Sequence, residues 1–298
     1  MARRSAKRYG YRISADRECP IIMGATVRSH VADHYARGDL VAAIRDGLAR
    51  MGKAESTVTA EDLAPVDEFH IGGRGATAEL ARQLTLSAGD WVLDVGCGLG
   101  GPARQIASRY GCRVTGIDLT RDYVEAGNVL SGWLHLDERV SLQQGDAGAL
   151  PFADDSFTAA YMLHVGMNII DKSTVFSEVA RVLRAGARFG VYDVMRTGDG
   201  ELTHPLPWAS TADANAIAAP EQYRDVLSAA GFQIVSERDR REVALDYFAR
   251  QRTHVATQPA GLGVHTLMGA RRPEMVRNMT QAISAGRIAP IEIIARKL

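Results

Sequence analysis

Residues 94–101 read Asp-Val-Gly-Cys-Gly-Leu-Gly-Gly. Gly96, Gly98 and Gly101 meet the G-x-G-x-x-G spacing, in which the backbone turns sharply and a ligand approaches a helix N-terminus. A phosphate favours that positive end, but Asp94 stands two residues before the first glycine. A carboxylate there repels phosphate and welcomes a cation, such as an amino group or a sulfonium. The next apolar run, 112–117, ends at Asp118, where a carboxylate can accept from both hydroxyls of a ribose. After the third run comes Gly145-Asp146-Ala147, where the aspartate can accept from an adenine amino group.

Further candidates lie at the ends of later runs. His164 follows the fourth run and can take a proton from a substrate or hydrogen-bond it; the duller alternative is packing. Asp193 ends the fifth run at the same sheet edge and is a second candidate base. Asn168 can orient a substrate or cap the helix that starts near Asp171. His70, in Phe69-His70-Ile71-Gly72-Gly73, is placed for a close approach over a bound ligand, or simply in a tight turn. Tyr35 can close over the same site. Trp208, in His204-Pro205-Leu206-Pro207-Trp208, can wall a substrate pocket and stabilise a cationic centre. His265 and Met268 are expected in a lid. Arg250, Arg252, Arg271, Arg272 and Arg277 read mostly as a solvated face, with one able to clamp a carboxylate. Cys97 fills space inside the glycine loop. His30 and His34 stand at i, i+4 without a third ligand nearby, so no metal site is expected.

Short apolar runs must position these groups. Strands are expected at 91–95, 112–117, 140–143, 157–163, 189–194, 232–236 and 291–295. The last is expected to begin after Pro290, which cannot donate a ladder bond. Helices alternate with them, one capped by Asp171 and stopped by Gly186. That alternation implies a mostly parallel α/β sheet with helices on both faces. Ahead of it, Asp39 can cap a helix whose Val41, Ile44, Leu48 and Met51 share a face and which ends at Gly52 and Lys53. Residues 54–66, with Pro65, read as a connection, and 77–86 as a short helix. The expected division is a tail and helical cap over 1–86 and a main domain over 87–298. An insertion at 241–286, helical near 243–251 and 273–284, is placed where lids are built.

Composition narrows the class. The chain has 298 residues, with 35 lysines plus arginines against 35 aspartates plus glutamates. A zero formal charge disfavours a generic electrostatic binder of nucleic acid. Residues 1–12 carry five basic side chains with no apolar stretch behind them, and read as a solvated tail rather than a secretory signal. Apolar runs fall short of the ~20 residues that span a bilayer. Cys19, Cys97 and Cys112 form no disulfide framework, so the expected compartment is reducing and cytoplasmic.

Taken together, Val92-Leu93-Asp94-Val95-Gly96-Cys97-Gly98, Gly116-Ile117-Asp118, Gly145-Asp146-Ala147 and Arg181-Val182-Leu183-Arg184-Ala185-Gly186 resemble the class I S-adenosylmethionine (SAM)-dependent methyltransferases. The resemblance covers about 90–298. It implies a seven-stranded, mostly parallel Rossmann-like sheet whose last strand is antiparallel, with SAM as cofactor. By that resemblance Gly96 and Gly98 touch the methionine part, Asp118 holds the ribose, and Asp146 and Ala147 flank the adenine. The full set expected at the cofactor adds Tyr35, His70, Asp94, Cys97, Gly100, Leu119 and His164. His164 and Asp193 are expected at the chemistry, and Asn168, Trp208 and His265 at the substrate.

A finer likeness, to sarcosine and dimethylglycine N-methyltransferases, lies in residues 98–104, 116–120 and 164–169. Sterol and quinone C-methyltransferases share much of that frame. His164-Val165-Gly166-Met167 replaces the Asn-Pro-Pro-Tyr type of tetrapeptide seen in branches that methylate DNA or protein. The resemblance therefore implies a small-molecule acceptor, with a glycine-type amine first. An isoprenoid, sterol or quinone carbon, or a natural product, is the alternative. An NAD oxidoreductase using the same glycine loop is the rival from another class. A homo-oligomer is compatible with this reading.

Overall fold

The computed structural model describes residues 39–255, 261–263, 265–268 and 271–298. The basic tail, His30, His34 and Tyr35 lie outside the described residues. Seven strands form one sheet in the order β3-β2-β1-β4-β5-β7-β6. They are β1 (Trp91–Val95), β2 (Arg113–Asp118), β3 (Val140–Gln144), β4 (Phe157–Leu163), β5 (Leu183–Arg196), β6 (Phe232–Asp239) and β7 (Ile288–Lys297). All neighbours pair in parallel except β7, which is antiparallel to both β5 and β6. This is the Rossmann-like arrangement with the last strand reversed.

The helices are α1 (Leu40–Arg50), α2 (Ala60–Asp67), α3 (Gly73–Gln83), α4 (Gly101–Tyr110), α5 (Arg121–Trp133), α6 (Lys172–Val182), α7 (Pro220–Ala229), α8 (Arg241–Val255), α9 (His265–Met268) and α10 (Arg272–Ser284). Leu93, Val95, Phe157, Val191 and Ile293 pack with Phe176, Val179 and Leu227 of α6 and α7 in one apolar core. Val92, Val114, Tyr161 and Ile294 pack with Ala103, Ile106 and Leu80 in a second. Alternate residues of β1, Val92 against Leu93, enter different cores, as the period of two requires.

Four elements depart from expectation. The connection at 54–66 is partly helix: Thr59 and Asp62 form a reciprocal capping box that starts α2. Pro65 sits in its last turn, where few bonds remain to be lost. Helix α3 begins at Gly73 rather than 77, and its Leu80 lies in the core of the main sheet, so the cap continues into it. Gly186 does not stop α6; Leu183 leaves the helix directly into β5, and Gly186 (φ +79°) lies within that strand. Pro290 lies inside β7, paired with Val194. Its carbonyl accepts from Arg240 N at 2.8 Å. In an antiparallel ladder both polar groups of a residue face the same side, so the missing N–H faces the region just past the end of β6.

Candidate active site

The loops after β1, β2, β3 and β4 leave the carboxyl edge of the sheet side by side. There they line a cavity of about 1740 Å³. Of the expected cofactor set, Asp94, Gly96, Cys97, Gly98, Asp118, Leu119, Asp146, Ala147, His164 and His70 line it. Gly100 is not among the lining residues; its φ of +75° and the approach of Leu142 give it a structural role.

The glycines do different work. A β-carbon on Gly98 would meet nothing, so its surface is open to a ligand. One on Gly96 would lie 2.4 Å from Val165 Cγ2. One on Gly101 would lie 2.4 Å from the Asp67 carbonyl oxygen. Gly96 therefore lets the loop after β4 close on the loop after β1, and Gly101 lets the end of α2 dock on α4. Gly116 makes similar room for Cys97, whose buried thiol is pushed to high pKa by burial.

Asp118 accepts from Gly98 N at 2.9 Å and Thr120 N at 2.8 Å, which locks both loops while leaving lone pairs free. Burial raises its pKa. Asp94 is buried and accepts from Tyr161 Oη at 2.7 Å; burial raises its pKa to about 7. Asp146 accepts from Gly148 N at 2.8 Å, which shapes the turn after β3.

His164 sits at φ +56° and donates its backbone N–H to Tyr192 O at 2.7 Å. Its Nε2 is buried without a partner, and burial holds the ring neutral by lowering its pKa well below the ordinary value. His70 meets it edge-on, ring centroids 6.0 Å apart. Asn168 lines the cavity and donates to Val165 O at 3.2 Å, while Asp171 itself caps α6. Trp208 lines the cavity and donates its indole N–H to Asn215 Oδ1 at 2.9 Å. His265 opens α9, and its side chain lies outside the described residues.

Asp193, expected as a base, does not reach the cavity. It is fully buried and accepts from Val165 N at 2.8 Å, Gly166 N at 3.0 Å and Tyr223 Oη at 3.0 Å. These bonds hold the loop after β4 from behind. Burial raises its pKa to about 6 despite those donors.

Three features escaped sequence reasoning. Arg104 is buried and bonds Asp67 Oδ2 at 2.7 Å, Gly127 O at 3.0 Å and Ser131 Oγ at 3.2 Å, tying α2, α4 and α5 together. Lys172, also buried, donates to Ile169 O and Ala216 O, both at 2.7 Å. Glu68 lines the cavity wall with its side chain 1% exposed. No local spacing marks any of the three.

Comparison with known proteins decides the family. A methyltransferase-domain model matches residues 93–191. The O-methyltransferase resE of Aspergillus sclerotiorum is 31% identical over 185 residues, 61% of this chain and 69% of that protein. The chain belongs to the SAM-dependent methyltransferases. A sterol 24-C-methyltransferase of Eremothecium gossypii is 35% identical over 54% of this chain, which spans 45% of that protein's length. The solved structure of a geranyl diphosphate C-methyltransferase from Streptomyces coelicolor superposes with a TM-score of 0.66 at 20% identity, over 91% of this chain and 98% of that one. At that identity the likeness concerns the fold. The methyltransferase cavity fits its cofactor: Gly98 is open, and Asp118 keeps free lone pairs at the β2 end. Among the described residues, no helix is long and apolar enough to cross a membrane.

Proposed function

We propose that this methyltransferase acts on an apolar small molecule of natural-product size. One observation carries the reading. Beyond the cofactor loops the cavity is walled mainly by apolar side chains, among them Phe69, Ile71, Met167, Trp208, Phe248 and Met279, with Arg252, Arg272 and Arg277 also on its lining. A single ligand pocket usually has ~300–1,000 Å³, so about 1740 Å³ has room for a cofactor and a sizeable acceptor. A glycine-type amine would leave that apolar wall unused. The O- and C-methyltransferase names of the two relatives agree with this reading.

In this reading Asp118 accepts from the ribose hydroxyls, Gly96 and Gly98 flank the methionine part, and Asp146 and Ala147 flank the adenine. SAM, when bound, supplies a methyl group already activated on a sulfonium. The protein's part is then alignment and exclusion of water. Holding the acceptor in line is worth ~7–11 kcal/mol. The loop from His164 to Asn168 stands between cofactor and acceptor regions, held rigid by Asp193 and Tyr223. Trp208 and Phe248 keep the acceptor side dry.

The test is a fluorescence titration of protein loaded with S-adenosylhomocysteine. Farnesol is expected to change the emission saturably, and Trp208→Phe to remove that change. Dimethylglycine is expected to leave it flat. Saturable binding of dimethylglycine with no response to farnesol would return the acceptor to the small amines.

A further inference from the structure

Two side chains on the cavity wall, Glu68 and His70, are joined by a third behind them, Thr77, in one chain of hydrogen bonds. Glu68 Oε2 accepts from Thr77 Oγ1 at 2.8 Å. Thr77 Oγ1 lies 3.1 Å from His70 Nε2, which also lies 3.1 Å from Gly73 O. A carbonyl can only accept, so Nε2 carries the ring hydrogen and Nδ1 is the basic nitrogen. The one Nε2 hydrogen is then shared between Gly73 O and the Thr77 hydroxyl, each at 3.1 Å, and Thr77 gives its own hydrogen to Glu68. Glu68 Oε1 is buried without a partner. His70 and Glu68 both line the cavity, and α3 supplies Thr77 from just behind them.

We propose that His70 takes the proton of an acceptor hydroxyl during methyl transfer, and that Thr77 and Glu68 fix its tautomer and receive the charge. This rests on the apolar-acceptor reading and narrows it to acceptors bearing an O–H. The acceptor oxygen attacks the methyl carbon, and the carbon–sulfur bond breaks with its electron pair going to sulfur. The hydroxyl proton passes to Nδ1. The Nε2 proton moves to Thr77 and the Thr77 proton to Glu68 Oε2, which leaves the imidazole neutral. The proton on Glu68 later leaves to solvent by the reverse path.

The surroundings suit this exchange. Burial keeps His70 neutral, its pKa lowered to about 4. Burial and the adjacent Asp67 raise Glu68 to about 8, against the pull of the Thr77 bond, Arg74 and Arg104. Tyr161 and Tyr247 also feel the Glu68 charge, and His164 that of His70. The relay therefore needs Glu68 ionised, and the rate should rise with pH to a plateau above about 8.

Two variants test it, Thr77→Val, which keeps the side-chain shape, and Glu68→Gln. Labelled SAM is offered with 1-naphthol, whose hydroxyl is un-ionised at assay pH, and with 4-nitrophenol, which is already ionised. Both variants are expected to lose about 100-fold or more in transfer to 1-naphthol, with the pH-dependent limb abolished. Transfer to 4-nitrophenol and the affinity for SAM are expected to stay within about threefold, well below that catalytic loss. Equal loss on both phenols, parallel loss of SAM affinity, or full retention on 1-naphthol overturns the relay while leaving the acceptor reading intact. No transfer by the wild type to either phenol, with transfer to dimethylglycine instead, overturns both.

Discussion

Replacing Asp193 by asparagine separates support of a loop from proton transfer. In the native protein Oδ1 accepts from Val165 N, and Oδ2 accepts from both Gly166 N and Tyr223 Oη. The amide keeps one acceptor oxygen, which can turn to face Gly166 N and Tyr223 Oη, and its NH2 then meets Val165 N, a donor. One of three bonds is lost and the other two lose their charge. A bond to a charged group is worth ~1.5–3 kcal/mol, so Asp193→Asn is expected to cost at least about 1.5–3 kcal/mol. Urea denaturation at pH 8, where the native carboxylate is ionised, reads this as a lower midpoint at unchanged slope. Because Val165 packs against Gly96, SAM affinity should also fall, by roughly tenfold or more for each 1.4 kcal/mol passed to the site. Turnover per folded, SAM-saturated molecule should stay within about tenfold of wild type. An unchanged midpoint and SAM affinity, with turnover down ~10²–10⁴-fold, would refute the argument and make Asp193 a base.

Other expectations follow from the same geometry. Asp118→Ala removes the proposed ribose acceptor and the bonds to Gly98 and Thr120; calorimetric SAM titration should show affinity down about 100-fold or more, from two charge-assisted bonds at ~1.5–3 kcal/mol each. Arg104→Met leaves Asp67 buried and uncompensated, which should cost ~3–5 kcal/mol in denaturation. Gly96→Ala at φ +76° meets Val165; ~1–2 kcal/mol of backbone cost and ~1–3 of overpacking should appear as lower stability and weaker SAM binding. Glu68 is raised from 4.5 to about 8, so the folded state keeps a proton that the unfolded chain releases. Its contribution is full below pH 4.5 and is lost as pH rises through about 8, at about 1.4 kcal/mol per pH unit. Glu68→Gln should flatten that part of the wild-type profile of stability against pH.

The sheet was readable because its strands are short apolar runs separated by turn chemistry: β1 and β4 begin and end at the residues expected from their sequence. Asp39 was readable as a cap because its role is local; it accepts from Ala42 N three residues on. The errors arise where tertiary context overrides a local rule. Pro290 is tolerated because β6 ends beside it, and Gly186 serves a strand because β5 begins immediately at Leu183. Asp193 illustrates the same limit at the site. Its position at a strand end is visible in sequence, but the donors that occupy it come from residues 165, 166 and 223. Glu68 gave no sequence signal, since its significance arises from α2 and α3 folding Thr77 and His70 around it. The glycine motif was legible as a loop, whereas the packing reasons for Gly96 and Gly101 lie in Val165 and Asp67.

The most direct test of apolar methyl transfer uses labelled SAM, with glycine, sarcosine and dimethylglycine in one set of reactions and a phenol- and prenol-containing organic extract in another. Each reaction is partitioned between water and organic solvent. Label is expected in the organic phase of the second set alone, reduced by Trp208→Ala. Label retained in water with one amine preferred, and none in the organic phase, would contradict it.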